Sequence, residues 1–300
     1  MRLIQPDAIR AAFDEREVMA ALKDAFIAAA HGGIQVAATG YLAFAEAHGD
    51  CHIKSGCMHD DEVFVVKIAS SFHLNPGRDL SASQGLMVVV SARTGQVEAI
   101  LDDGGWLTQQ RTALTAALVA ERIARPETSV VGIVGAGVQA RLQAELLHRH
   151  FSAAQVLVWA RDPAKARDVG DYVPLETLCA RAELIITATP STAPLIRNDW
   201  VRPGTRLIAV GADAPGKQEL EAAVLARAVV IADLPMQCAD YGDSSYAVRA
   251  GLISAGNLLP LGDVLWSGMR FDRDDIVVAD LTGTAIQDVA IAKCIWNKLK

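Results

Sequence analysis

The sequence has no apolar run that reaches the roughly 18 residues needed to cross a bilayer as a helix, so no membrane span is expected. It has no basic excess either. Its 28 Lys and Arg stand against 35 Asp and Glu, a formal net charge of −7. That excludes the concentrated basic surface of a nucleic-acid binder. Cysteine is scarce, with five scattered residues, an odd number that fits no disulfide framework and suits a reducing, cytoplasmic setting. Residues 1–16 carry Asp7, Asp14 and Glu15 and lack a continuous apolar core, which argues against a secretory signal. There is no internal repeat, low-complexity tract or charge run. What is there is a chain of 300 residues, 51% hydrophobic and 21% charged, the composition of a soluble globular protein with one large or two moderate domains.

The hydrophobic pattern changes along the chain. Residues 14–30 place Val18, Ala21, Leu22, Ala25, Phe26 and Ala29 at helical spacing, and Gly32-Gly33 stops the run. Between Gly40 and about Ile100 the texture becomes β-rich, with runs at 63–68 and 86–90. Turn residues separate them at His48-Gly49-Asp50, Asn75-Pro76-Gly77 and Thr94-Gly95, and an antiparallel sheet of hairpins is expected. Residues 106–124 read as a long Ala-rich helix ending before Pro126. From Val130 onward short apolar runs at 130–134, 156–159, 184–187, 207–210, 229–232 and 276–279 alternate with helical segments, the pattern of a parallel, doubly wound sheet. Residues 285–300 read as a helix that packs back on the N-terminal region and makes that domain discontinuous.

Three places carry chemistry. The run at 130–134 leads into Gly135-Ala136-Gly137-Val138-Gln139-Ala140 and then a helix, which is G-x-G-x-x-A in the strand-to-helix context that a dinucleotide site requires. Gly135 permits the tight turn, Gly137 lets the backbone approach a pyrophosphate, and Ala140 must be small for helix and strand to pack. At the end of the second strand stands Ala160-Arg161-Asp162. Arg161 suits the 2′-phosphate of NADP and Asp162 the 2′-hydroxyl of NAD, so either cofactor is open, with a slight lean to NADP. A solvated pair capping a helix before Pro163 is the competing reading.

Lys67 interrupts the apolar run at 63–68, and strand alternation sets it on one face with Val63 and Val65. A lysine there is costly unless it is paired or meets an anion; a solvent-facing edge-strand lysine is the bland alternative. Arg111 sits among small apolar residues on the 106–124 helix, where its planar fork suits a carboxylate or phosphate, unless it makes a surface salt bridge. Val210-Gly211-Ala212-Asp213 lies at the carboxyl end of a Rossmann strand, where ligands of open α/β sheets bind. Gly211 would allow close approach to a nicotinamide, and Asp213 would be the nearest ionisable group or a turn cap before Pro215. Cys51, His52, Cys57 and His59 crowd together without the paired spacing of a closed zinc site, and no metal is expected.

Taken in order, Lys67, Leu107-Thr-Gln-Gln-Arg-Thr-Ala113, the Gly135 to Ala140 loop and Val210-Gly-Ala-Asp-Ala-Pro-Gly-Lys-Gln-Glu-Leu220 resemble the ornithine cyclodeaminase/mu-crystallin family. Asp280-Leu-Thr-Gly-Thr-Ala-Ile-Gln-Asp288 fits it as well. The resemblance implies an α/β fold with a doubly wound Rossmann domain over residues 116–284. An α/β substrate-binding and dimerisation domain would comprise 1–115 with 285–300. It implies that Lys67 and Arg111 hold a substrate carboxylate and that Asp213 exchanges a proton with the substrate nitrogen, which makes Lys67 and Asp213 the catalytic pair. Thr112, Val138, Gln139, Thr189, Val210, Lys217 and Thr282 would surround NAD or NADP, and the protein would be a homodimer acting on a small amino acid or imino acid.

Cyclodeaminase members show a Met-Pro pair where this chain has Lys54-Ser55-Gly56, within His52-Ile-Lys-Ser-Gly56. No arginine stands near Gly40, and His52 or Lys54 replaces the acidic group that would bind the side-chain amine of ornithine. A second lysine repels an amine and attracts a second carboxylate. The resulting expectation is hydride transfer between a nicotinamide and the α-carbon of a 2-imino acid, extending to a dicarboxylate such as iminosuccinate, with Lys54 and His52 near the substrate. The alternatives are an ornithine cyclodeaminase that uses NAD catalytically and a non-catalytic mu-crystallin-like binding protein.

Overall fold

The computed structural model describes residues 1–152 and 154–300. The chain begins with β1 (Arg2–Ile4), α1 (Pro6–Ala12), α2 (Glu15–Ala30), β2 (Ile34–Val36), β3 (Gly40–Phe44), β4 (Gly49–Met58), β5 (Val63–Phe72), β6 (Ser83–Ser91), β7 (Val97–Leu101) and α3 (Trp106–Ile123). It continues with β8 (Val130–Val134), α4 (Val138–His150), β9 (Gln155–Trp159), α5 (Pro163–Arg167), β10 (Asp171–Tyr172), α6 (Leu175–Arg181), β11 (Leu184–Thr187), β12 (Thr192–Ile196) and β13 (Arg206–Ala209). The last elements are β14 (Gln218–Leu220), α7 (Ala222–Ala226), β15 (Ala228–Ala232), α8 (Pro235–Tyr241), α9 (Asp243–Arg249), β16 (Leu259–Pro260), α10 (Leu261–Ser267), β17 (Ile276–Asp280) and α11 (Ala285–Leu299). Two compact units result, Met1–Arg111 with Thr284–Lys300, and Thr112–Gly283.

In the first unit, β4, β5, β6 and β7 form an antiparallel meander in the order β7-β6-β5-β4, with β2 and β3 both pairing β4. β1 adds to the outer edge of β7 in parallel. Strand alternation buries Val65, Met87, Val89, Ala99 and Leu101 on one face. That face is covered by α11, which also packs on α2. Asp14 caps α2 by accepting from the Glu17 N–H at 3.0 Å. One expected turn is corrected. Gly49 and Asp50 belong to β4, because the chain reverses earlier, at His48, whose backbone is left-handed with φ 47°.

In the second unit, eight strands lie in the order β10-β9-β8-β11-β13-β17-β15-β16, all parallel. The central strands β8, β11, β13 and β17 are almost fully buried, as a sheet covered on both faces demands. Leu157, Leu178, Ile185, Leu207, Val224 and Val278 contribute to one hydrophobic core. The expected strand runs of this unit are found with ends moved by at most one residue, while 63–68 and 86–90 are parts of the longer β5 and β6. β1, α1, β2, β12 and the very short β10, β14 and β16 had no counterpart in the sequence. Among the described residues, no helix is long and apolar enough to cross a membrane.

Candidate functional sites

In the first unit, Lys54 and Lys67 stand directly opposite each other in the β4–β5 register and so share a face. Both are buried, 4% and 2% exposed, as are Arg111 at 3% and Asp288 at 1%. The Lys67 ammonium lies 2.9 Å from one Asp288 oxygen, and the Arg111 Nε lies 2.7 Å from the other. Arg111 also donates to the side-chain carbonyl of Gln287. The edge-strand reading of Lys67 and the surface reading of Arg111 are therefore both overturned, because α11 roofs the face on which they lie. Asp103, 5% exposed, accepts the Leu107 N–H at 2.7 Å and so caps the start of α3, the helix that carries Arg111.

Two buried cations thus share the Asp288 carboxylate, with Lys54 buried opposite Lys67. Burial, followed by the Arg111 charge, pushes the Lys67 ammonium down to about 7, with Asp288 opposing and Lys54 adding to the shift. Burial pushes the Asp288 carboxyl up, but Arg111, Lys67 and Lys54 outweigh it and hold the group below its usual value. Asp103 is pushed up to about 6 by burial. A buried positive surplus of this kind is costly unless an anion completes it. His52 stands two positions from Lys54 along the same strand, 3.8 Å from Asp50 and tilted against Tyr41 with ring centroids 5.1 Å apart.

In the second unit, β8 turns into α4 at the glycine loop. Gly135 has φ +131°, and a Cβ there would lie 2.7 Å from the Ala188 carbonyl oxygen, so only glycine makes this turn. Gly137 is the N-cap of α4, and a Cβ on it would meet nothing within 4 Å. No side chain caps α4, its first turn carries no acid, and Val138 at its start is 51% exposed. Ala140 is fully buried where helix meets strand. Open space, uncapped N–H groups and a helix dipole are what a pyrophosphate requires, and the glycine cradle of residues 135–139 has these features. At the end of β9 the Asp162 carboxylate caps α5 by accepting from the Ala164 N–H at 3.0 Å, while Arg161 is exposed.

At the carboxyl ends of β11 and β13 the Asp213 carboxylate accepts from Lys217 at 2.6 Å, four residues later. Gly211 also has a reason within the fold. A Cβ there would fall 2.1 Å from the Thr189 carbonyl oxygen and 2.6 Å from the Glu219 carboxyl, so the protein's own packing demands the glycine. Thr189 gives both its N–H and its hydroxyl to Glu219. Thr282 donates to Asp233 at 2.9 Å and accepts from Gln237 at 2.8 Å. The polar groups of these residues are therefore engaged first by internal partners. Val210 is buried at 8% and Thr112 half-buried on α3.

The sequence reading gave no role to Asp288, Gln287, Asp103 or Glu219. Asp288 and Glu219 lie inside quoted motifs, and a single carboxylate amid Ile286, Val289, Ala290 and Ile291 was the available signal.

A protein of Rhizobium meliloti named as a dehydrogenase is 37% identical over 93% of this chain and 89% of its own length. An archaeal alanine dehydrogenase dimer with bound NAD superposes with a TM-score of 0.90 and 29% identity, covering 99% of this chain and 95% of that one. The iminosuccinate reductase of Paracoccus denitrificans in complex with NAD+ gives a TM-score of 0.87 and 26% identity over 99% of this chain and 95% of that one. The profile of one family matches residues 5–300, so the match takes in both the cation cluster and the glycine cradle. The chain belongs to the ornithine cyclodeaminase/mu-crystallin family.

Proposed function

We propose that the protein is an NAD(P)-dependent imine reductase or amino-acid dehydrogenase acting on a small 2-imino acid. The observation that carries this reading is that two buried cations, Lys67 and Arg111, share the one Asp288 carboxylate, in a chain whose second unit has a glycine turn opening into a helix. The reduced nicotinamide, when bound, supplies a hydride to the α-carbon of the imine. The residues of the chain do the rest. Arg111 and Lys67 grip the substrate carboxylate and fix the orientation of the α-carbon. Entry of that carboxylate stabilises the protonated form of Lys67, whose ammonium is otherwise poised at about 7. Asp213, hydrogen-bonded to Lys217, serves as the proton partner of the substrate nitrogen. Lys217, Thr112, Thr189, Val210, Gly211 and Thr282 border the dinucleotide, and Arg161, exposed beyond β9, favours NADP over NAD.

Lys54 extends the reading to a dicarboxylate. A second buried ammonium directly opposite Lys67 suits a substrate with a second carboxylate, such as the imine and amine pair iminosuccinate and aspartate. His52, two positions along the strand, borders the same end. We further propose a homodimer. Leu42, Phe44, Ile53 and Ile68 are 54%, 42%, 40% and 41% exposed on the sheet face opposite Lys54 and Lys67, an apolar patch that suits a second copy.

The test is absorbance of the reduced nicotinamide, with NADH or NADPH, ammonia and a panel of 2-oxo acids that includes oxaloacetate and pyruvate. Stoichiometric loss with one of them supports the reductase. Ammonia release from ornithine at constant nucleotide would replace it with a cyclodeaminase, and nucleotide binding with neither reaction would leave a binding protein.

A further inference from the structure

Glu219 is fully buried on β14, and its carboxylate accepts four hydrogen bonds. One oxygen takes the Thr189 N–H and the Thr189 hydroxyl, both at 2.7 Å. The other takes the Thr187 hydroxyl at 2.7 Å and the Gly211 N–H at 2.8 Å. All four lone-pair positions are filled, and none of these donors is a cation. Each oxygen faces one backbone amide. A glutamine could not replace the acid, because in either orientation its NH2 group would point at an N–H. An aspartate is one methylene too short to span the same points.

The segments tied together are the carboxyl ends of β11 and β13, neighbours in the sheet. The glycine cradle follows β8, and the ribose-reading position follows β9 on one side of it. In a doubly wound sheet the other half of a dinucleotide therefore extends the opposite way, over β11 and β13. A second tier fixes the strand itself. Asp243 accepts the backbone N–H groups of Glu219 and Leu220, each at 2.8 Å, and Asp280 accepts that of Ser244 at 2.8 Å.

We propose that Glu219 is a positioning residue for the nicotinamide end of the dinucleotide, acting through Thr189 and Gly211 and through the segment from Gly211 to Lys217 that carries Asp213. This inference rests on the reading of the second unit as the dinucleotide-binding part. It separates two halves of one ligand. The adenosine and pyrophosphate half depends on the glycine cradle, which Glu219 does not touch. The nicotinamide half depends on the rim that Glu219 locks.

The experiment is calorimetric titration of the full-length protein with ADP-ribose and with NADH, for wild type and Glu219→Gln. ADP-ribose binding is expected to stay within about twofold while NADH binding weakens about tenfold, the loss expected when a charge-assisted lock is removed. Equal weakening of both ligands, or no change in their ratio, would overturn the positioning role. If Glu219→Gln does not fold, Thr187→Val removes one donor at constant shape and should shift the same ratio about threefold; an unchanged ratio there also overturns it. A wild-type protein that binds neither ligand would instead sink the dinucleotide reading on which the inference stands.

Discussion

The two units each bury a cluster of charge, and they do so in opposite ways. In the first unit the buried Lys67 and Arg111 share the one Asp288 carboxylate, with Lys54 buried opposite Lys67. In the second, Glu219, Asp233, Asp243 and Asp280 are all 4% exposed or less, yet they draw on backbone N–H groups and hydroxyls instead of cations. Burial still leaves its mark on this acid group. Asp243 is pushed well above its ordinary value by burial and by the Asp280 and Glu219 charges, and Asp280 is pushed up to about 7 by burial. The difference separates two uses of buried charge. A cluster that spends its acceptors on the backbone holds loops in place, and on the function proposed above a cluster whose cations outnumber their shared carboxylate is completed by the substrate.

The comparison breaks first at Asp288. Asp288→Ala removes the carboxylate that pairs both Lys67 and Arg111 and should destabilise the first unit by about 3–5 kcal/mol, read by chemical denaturation. Lys67→Met should cost less in stability and more in turnover, with kcat/KM for the imino acid falling about a hundredfold while the fold persists. If Lys67→Met destabilised the protein as much as Asp288→Ala, the cluster would be a closed structural ion pair, and the surplus would have no role.

Two glycines sharpen the contrast in the second unit. Gly211→Ala drives a methyl into the Thr189 carbonyl and Glu219 and should cost about 1–3 kcal/mol by thermal or denaturant melting. Gly137→Ala meets open space and should leave stability within about 0.5 kcal/mol while weakening dinucleotide binding about tenfold, because the methyl occupies the path of the pyrophosphate.

The smallest effect concerns pH. Lys67 keeps its ordinary value in the unfolded chain and falls to about 7 in the fold, so the unfolded state holds more protons above that point and this group favours folding increasingly as pH rises. Anion capture runs the other way. A non-reacting carboxylate should bind a few-fold more weakly as pH rises through about 7, and Lys67→Met should flatten the profile. Arg111, Lys54, Asp288 and Asp103 are the other charged groups that bear on Lys67 in this window.

Much of this architecture was legible from local pattern. The runs at 130–134 and 184–187 read as buried strands because parallel strands are apolar on both faces. Lys67 stood out because period-two alternation placed a charge on an apolar face. Its partner was not legible, since Asp288 and Gln287 arrive from a helix far along the chain; Gln287 and Arg111 are 176 positions apart. Glu219 was hidden for the same reason, as its four donors come from two separate segments, 187–189 and 211, and no spacing rule joins them. β1 and β14, three residues each, and β10 and β16, two residues each, are too short for any period to show.

The placement of α11 has a consequence for how the chain comes into being. A ribosome delivers the first 111 residues early, then all of 112–283, and only afterwards the helix that roofs the first sheet. Until then Lys54, Lys67 and Arg111 wait without Asp288, and the nascent sheet lacks both its cover and its counter-charge. The second unit, contiguous in sequence, can close on itself first. Synthesis therefore finishes the protein from the middle outward, and loss of the last 17 residues, 284–300, would leave the first-made part permanently unfinished while sparing the part made after it.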